Sequence, residues 1–90
     1  MTNYPHKFYQ ELTLKQLFGI YNRQGNSTGG SFHIVLEDYN IEDTYVYYCA
    51  EYALEHNDLV GTMIASYLID MNEDQREEAC ELWRMIRDGY

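Results

Sequence analysis

The sequence is poor in basic residues, with six Lys+Arg against 15 Asp+Glu and a formal net charge of −9. A nucleic-acid-binding domain needs a clustered basic footprint, and an anionic membrane surface attracts basic segments rather than acidic ones. The charge balance therefore argues against direct binding to nucleic acid and against docking on a membrane surface.

Long apolar runs are missing, and the chain has only two cysteines. Residues 1–18 carry polar and charged residues throughout, which is not the pattern of a secretory signal peptide. The least polar stretch, Leu59–Ile69, is too short to span a bilayer and predicts a buried helix. Cys49 and Cys80 have no zinc-type spacing, so we expect buried free thiols in a cytoplasmic protein, with an interhelical disulfide as the less favoured alternative.

Apolar residues are nevertheless plentiful, at 46% of the chain, and 16% of the residues are aromatic. This composition is too hydrophobic for a disordered acidic tail. A chain of 90 residues has the length of one small domain. We therefore predict a single folded domain over residues 1–90, with residues 1–12 as an extended or irregular N-terminal segment.

Most of the chain is predicted to be helical, because apolar residues recur at the i, i+3, i+4, i+7 spacing of a buried helix face. Each predicted helix begins with a side chain that can accept hydrogen bonds from the free amides of a first helical turn. These capping residues are Thr13, Asn40 (with Asp43), Asp58 and Asn72 (with Gln75). Asn57 is expected to end the helix before Asp58 in a left-handed conformation.

One segment, Phe32–Leu36, reads as a strand, because a period of two sends Phe32, Ile34 and Leu36 to one face. A single strand needs a partner, which would come from the twelve N-terminal residues or from another copy of the chain. The predicted fold class is therefore α-rich α+β, with about four helices packed around one short strand or small sheet.

The loop Gly25–Ser31 can present backbone amides to phosphate or carboxylate oxygens, although a flexible turn is the alternative interpretation. It has neither a Walker A ending nor the dinucleotide-binding fingerprint. On the predicted strand, His33 and Glu37 lie about 13 Å apart and cannot chelate one ion. No nucleophile stands beside a credible base, so we predict no catalytic residue, no metal site and no cofactor.

Two further features concern surfaces. The last predicted helix has an excess of carboxylates that can imitate a phosphate backbone, although helix-dipole matching and solubility also explain acidic residues there. These residues are Glu73, Asp74, Glu77, Glu78 and Glu81. Ten tyrosines exceed the need of a small core, and those between Tyr39 and Tyr52 cover more than one helix face. They favour self-association into a homo-oligomer.

A resemblance adds context to these patterns. It is carried by Gly29–Asp38, Asn40, Glu42–Asp43 and by single residues and pairs further along, Cys49, Tyr52–Ala53 and Gln75–Arg76. With these residues the chain resembles a family of small tailed-bacteriophage proteins that carry a Gly-Gly-Ser-Leu-His-Ile-Val-Leu-Asp-Asp-Gly-Asn-like segment. The chain departs from that segment at Phe32, Glu37 and Tyr39, and Tyr39 tolerates a positive φ poorly.

The resemblance implies a phage accessory protein in the cytoplasm of an infected bacterium that blunts host defence by binding, not by catalysis. The leading hypothesis is sequestration of a nucleotide-derived signal by Gly29, Gly30, Ser31, His33, Asp38 and Asn40, with a tyrosine stacked on the base. In this hypothesis Arg23 offsets the repulsion between an anionic ligand and the acidic chain. The alternative is an acidic protein–protein inhibitor that mimics nucleic acid and uses Glu73–Glu81 to block a basic groove of a host defence protein.

Overall fold

A computed structural model of the chain describes residues 12–25 and 29–89, which form five helices and no strand. The helices are α1 (Leu14–Arg23), α2 (His33–Asp38), α3 (Asp43–Glu55), α4 (Leu59–Ile69) and α5 (Glu73–Arg87). The predicted α+β class is therefore wrong, because the described part of the chain is α-helical throughout. The expectation of an extended N-terminal segment falls on residues 1–11, outside the described residues.

The error concerns α2, which occupies the predicted strand. Phe32, Val35 and Leu36 are buried while Ile34 is 40% exposed, so burial follows the i, i+3, i+4 spacing of a helix. An apolar run this short fits either period, and its β-branched residues favoured the wrong one. The packing of Phe32, Val35 and Leu36 into the core decides the outcome, and no partner strand is required.

The order of packing is α3, α4, α1, α5 and α2, since α4 packs on α3 and α1, while α5 packs on α1 and α2. The central helix α4 is buried over most of its circumference, as its composition predicts. Trp83 of α5 is fully buried, and its ring lies edge-on to Phe18 and Tyr21 of α1 at centroid distances of 5.6 Å. This aromatic contact joins α5 to the centre of the fold.

Local capping signals position most helix ends. Thr13 and Asn72 form reciprocal capping boxes with Gln16 and Gln75, which confirms both predicted starts. The predicted start of α3 at Asn40 is wrong, because the helix begins at Asp43 and is preceded by Ile41, a core residue that is 9% exposed.

The connection between α3 and α4 is also as predicted. Asn57 has a left-handed φ of 56°, and the Asp58 side chain accepts a hydrogen bond from the Gly61 amide. Asn57 and Asp58 therefore determine the geometry of the connection between the two helices.

Arg76 of α5 is a buried cation that holds three segments together. Its Nε donates to the carbonyl of Leu68 at 2.8 Å and its Nη1 donates to the carbonyl of Ile41 at 2.9 Å. The same Nη1 pairs with Asp43 at the start of α3. The Leu68 carbonyl also accepts from the Met71 amide, so Arg76 adds a charged donor at the C-terminal end of α4.

The end of α2 is fixed against α5 by a second group of contacts. The Glu37 carboxylate accepts hydrogen bonds from Trp83 Nε1 and Arg87, and the Glu37 carbonyl accepts one from Arg84. Tyr39 follows with a left-handed φ of 55°, and the guanidinium of Arg84 lies 4.5 Å from the centre of its ring. The chain thus keeps a left-handed turn at Tyr39, where the resembling segment has glycine.

Candidate functional site

Two hydrogen bonds anchor the turn before α2, one at Ser31 and one at Phe32. The Ser31 hydroxyl donates to Asp58 Oδ2 at 2.8 Å, and the Phe32 amide donates to the Tyr21 hydroxyl at 2.8 Å. Burial raises the pKa of Tyr21 to about 12, so its phenol stays neutral in this contact. These two hydrogen bonds join the turn to α1 and to the N-cap of α4, and the Gly29–Gly30 backbone just before it lines a pocket.

The pocket lies between this turn and the faces of α2 and α3, and its volume is about 240 Å³. Its walls combine glycine backbone, one imidazole and a group of aromatic rings. They are formed by Gly29, Gly30, Ser31, His33, Ile34, Tyr45, Tyr48, Cys49 and Tyr52. A concave site with a few polar groups on an apolar lining is the usual form of a small-molecule site.

The aromatic wall comes from successive turns of α3. Tyr45 and Tyr48 are stacked with centroids 5.9 Å apart, and Tyr52 stacks on His56 at 3.9 Å. Tyr48 and Tyr52 are 57% and 43% exposed, which leaves ring surface open to a ligand. Partial burial raises the pKa of Tyr45 above its usual value, and the nearby Cys49, Tyr48 and Asp38 act in the same direction.

The polar groups of the pocket suit binding better than catalysis. Cys49 is 2% exposed, and burial raises the pKa of its thiol to about 11, so the nucleophilic thiolate is scarce near neutral pH. His33 has its Nδ1 atom buried without a hydrogen-bond partner in the described part of the chain. A neutral thiol and an imidazole with one unsatisfied nitrogen provide contacts but no activated nucleophile.

The structure brings together only part of the predicted ligand site. Gly29, Gly30, Ser31 and His33 line the pocket, as the sequence hypothesis requires. Asp38 and Asn40 do not line it, since Asp38 is the last residue of α2 and Asn40 lies in the connection after that helix. Arg23 lies elsewhere, in a groove beside α1 and α5. Residues 26–28 of the predicted loop are outside the described residues.

Two interpretations of individual side chains also change. His33 and Glu37 are four residues apart in α2, so they are separated by about 6 Å along the helix axis and not by the 13 Å expected for a strand. The Glu37 carboxylate, however, already accepts hydrogen bonds from Trp83 and Arg87. The Ser31 hydroxyl is occupied by Asp58. Of the predicted polar ligands, the Gly29–Gly30 backbone and His33 are therefore the ones that remain open to a ligand.

The leading sequence hypothesis placed one unspecified tyrosine on the base of the ligand, and the surplus of tyrosines favoured self-association. The spacing of one helix face predicts a buried stripe formed by Tyr45, Tyr48, Cys49 and Tyr52. Cys49 is indeed buried, but the rings of Tyr48 and Tyr52 reach the surface. The spacing was the available signal, and the pocket shows that these rings face the Gly29–Gly30 turn and the start of α2.

The acidic residues of α5 form a separate surface, which we name the acidic face. Each member is exposed, and none forms an ion pair with another residue in the described ranges. The members are Glu73, Asp74, Glu77, Glu78 and Glu81. Their charges therefore remain available to a cationic partner.

No family model, no curated protein and no solved structure matches this chain. Within residues 12–25 and 29–89, no helix is long and apolar enough to cross a membrane.

Proposed function

We propose that the chain is a phage-type accessory protein that antagonises bacterial anti-phage defence by binding a nucleotide-derived signal without chemical change. The observation that carries this proposal is the pocket in which the Gly29–Gly30 backbone and His33 face the exposed rings of Tyr48 and Tyr52. Stacking of a base on an aromatic ring contributes about 1–3 kcal/mol and tolerates any base. The bacteriophage context comes from the sequence resemblance.

The charges around the pocket define which part of a nucleotide it favours. Among residues 12–25 and 29–89, no Lys or Arg lines the pocket, and the chain carries a net charge of −9. Phosphate groups would therefore be repelled unless they stay in solvent, while base and sugar make the contacts. We infer that the preferred ligand carries few charges, as a cyclic mononucleotide does, and that a diphosphate such as ADP-ribose binds more weakly.

Calorimetric titration with cyclic AMP, adenosine and ADP-ribose tests this site. We expect cyclic AMP and adenosine to bind, and Tyr48→Ala to weaken binding at least tenfold, in line with the loss of one stacking contact. Because Tyr48 is 57% exposed, this variant should keep the melting temperature of the parent chain.

Tyr47→Ala is the matched control, since Tyr47 is 50% exposed on the same helix but does not line the pocket. This variant should bind as the parent does. Absence of binding for all three compounds, or an equal loss in the Tyr47 and Tyr48 variants, would exclude a nucleotide site at this pocket.

A second candidate function is favoured by the unpaired carboxylates of the acidic face. We propose as the alternative that this face imitates nucleic acid and blocks a basic groove of a host defence protein. Binding of this kind weakens steeply as salt screens the charges. The acidic face lies on α5, so this function does not require the pocket lined by Tyr45, Tyr48 and Tyr52, which we name the tyrosine pocket.

Charge reversal distinguishes the two candidates. Triple replacement of Glu77, Glu78 and Glu81 by lysine should weaken binding to a partner from host lysate at least tenfold and flatten its salt dependence. Reversal of Glu51 and Glu55, which are exposed on α3, is the control and should have a smaller effect. If both sets of reversals leave binding unchanged, the acidic face is not the contact surface.

A further inference from the structure

A second concave site, which we name the α1 groove, runs along α1 beside α5 and has a volume of about 410 Å³. Its lining residues on α1 and before it are spaced three or four apart, so they form one continuous face of the helix. They are Leu12, Lys15, Gln16, Gly19, Ile20 and Arg23, joined by Ile86 of α5. Apolar side chains thus alternate with two cations along one groove.

These two cations differ from the others in the described residues. Arg76, Arg84 and Arg87 are engaged inside the fold, by carbonyls, carboxylates or the ring of Tyr39. Lys15 and Arg23 form no ion pair in residues 12–25 and 29–89, although the chain has 15 Asp+Glu. In a strongly acidic protein, two cations without an ion pair among the described residues therefore line the same groove.

Gly19 lies between Lys15 and Arg23 on the α1 face that lines the groove. Glycine is a poor residue for a helix interior. A Cβ at this position would meet only the flexible end of Arg23, with Nη1 at 3.4 Å, an ordinary contact. The packing of the chain itself therefore does not require glycine here, and its absence of a side chain leaves the floor of the groove open.

The same distance shows how the cations are arranged. The Arg23 guanidinium reaches back to the level of Gly19, and Lys15 lies one helical turn before Gly19 on the same face. Lys15 and Arg23 therefore lie one turn to either side of Gly19 on this face, while Ile20 and Ile86 provide apolar surface beside it.

We propose that the α1 groove binds an amphipathic anion, whose head lies over Gly19 between Lys15 and Arg23 and whose apolar body covers Ile20 and Ile86. The groove has the size of a small-ligand site, and its cations complement a negative head. Two neighbouring cations are required here, because the negative net charge of the chain repels anions at a distance. The α1 groove is separate from the tyrosine pocket and does not depend on the function proposed for that pocket.

Decanoate, titrated below its micelle concentration into the full-length chain, is the probe. We expect saturable binding of decanoate, and decanol, which has the same apolar body without the charge, should bind at least tenfold more weakly. Lys15→Ala and Arg23→Ala should each weaken decanoate binding about fivefold or more. The full chain is used because residues 1–11 lead directly into Leu12.

Gly19→Ala separates binding from folding. It should raise the melting temperature by about 4 °C, because alanine favours the helix, and yet reduce decanoate affinity at least tenfold by filling the floor. Tyr48→Ala should leave decanoate binding unchanged, since Tyr48 lies in the other pocket. The proposal is overturned if decanoate does not bind, if decanol binds equally well, or if the Lys15, Arg23 and Gly19 variants bind as the parent does.

Discussion

Replacement of Arg76 by methionine is expected to lower the free energy of unfolding by about 3–5 kcal/mol. Arg76 is buried, and its guanidinium donates hydrogen bonds to the carbonyls of Leu68 and Ile41. Methionine fills a similar volume but donates no hydrogen bond, so these carbonyls lose their charged donor in a place where water has little access. Chemical denaturation measured by circular dichroism gives the difference.

Asp43→Asn is the matched control, because Asp43 is the carboxylate of the same ion pair. The Asp43 side chain is 76% exposed, whereas that of Arg76 is 5% exposed. An exposed partner of this kind contributes about 1 kcal/mol or less. If Asp43→Asn is as destabilising as Arg76→Met, the ion pair rather than the carbonyl contacts stabilises the junction, and our account of Arg76 is wrong.

Gly61→Ala is the second change with a large expected effect. A Cβ at Gly61 would lie 2.5 Å from Asp58 Oδ2 and 2.7 Å from the Ser31 hydroxyl. Both atoms belong to the hydrogen bond that joins the turn before α2 to the start of α4. Overpacking and loss of the N-cap contact together should lower the free energy of unfolding by about 2–4 kcal/mol.

Two variants identify the cause of this loss. Gly19→Ala, also within a helix, should stabilise the chain by about 1 kcal/mol, so the sign at Gly61 reflects contacts and not helix propensity. Ser31→Ala should destabilise by about 1 kcal/mol, because it removes one hydrogen bond without adding volume. A stabilising or neutral Gly61→Ala would show that the turn moves aside freely. Thermal and urea unfolding of all three variants provide the comparison.

Features encoded by neighbouring residues were predictable from the sequence. The capping boxes of Thr13 and Asn72 and the left-handed Asn57 each depend on side chains within one turn of the helix end. The short run from Phe32 to Leu36 fits both a helix and a strand. Its helical conformation becomes evident only from which of its residues the rest of the fold buries.

The candidate site was predictable only in part, for a related reason. The sequence identified the Gly29–Gly30 turn and His33, but their juxtaposition with Tyr48 depends on tertiary packing that brings the turn before α2 to α3. Arg23 is close to the turn in sequence and lies in a different groove, because it ends a helix whose exposed face points elsewhere. The role of Arg76 was missed because its hydrogen-bond partners come from distant segments.

The contact between Tyr21 and Trp83 has a spectroscopic consequence. Trp83 is the one tryptophan of the chain, it is fully buried, and its indole N–H donates to Glu37. The ring of Tyr21 lies against the indole, while the Tyr21 hydroxyl holds the Phe32 amide beside the pocket. The emission of the single tryptophan is therefore linked through one side chain to the turn that lines the pocket. Any displacement of that turn changes the surroundings of the indole, so its fluorescence follows the turn without an added label.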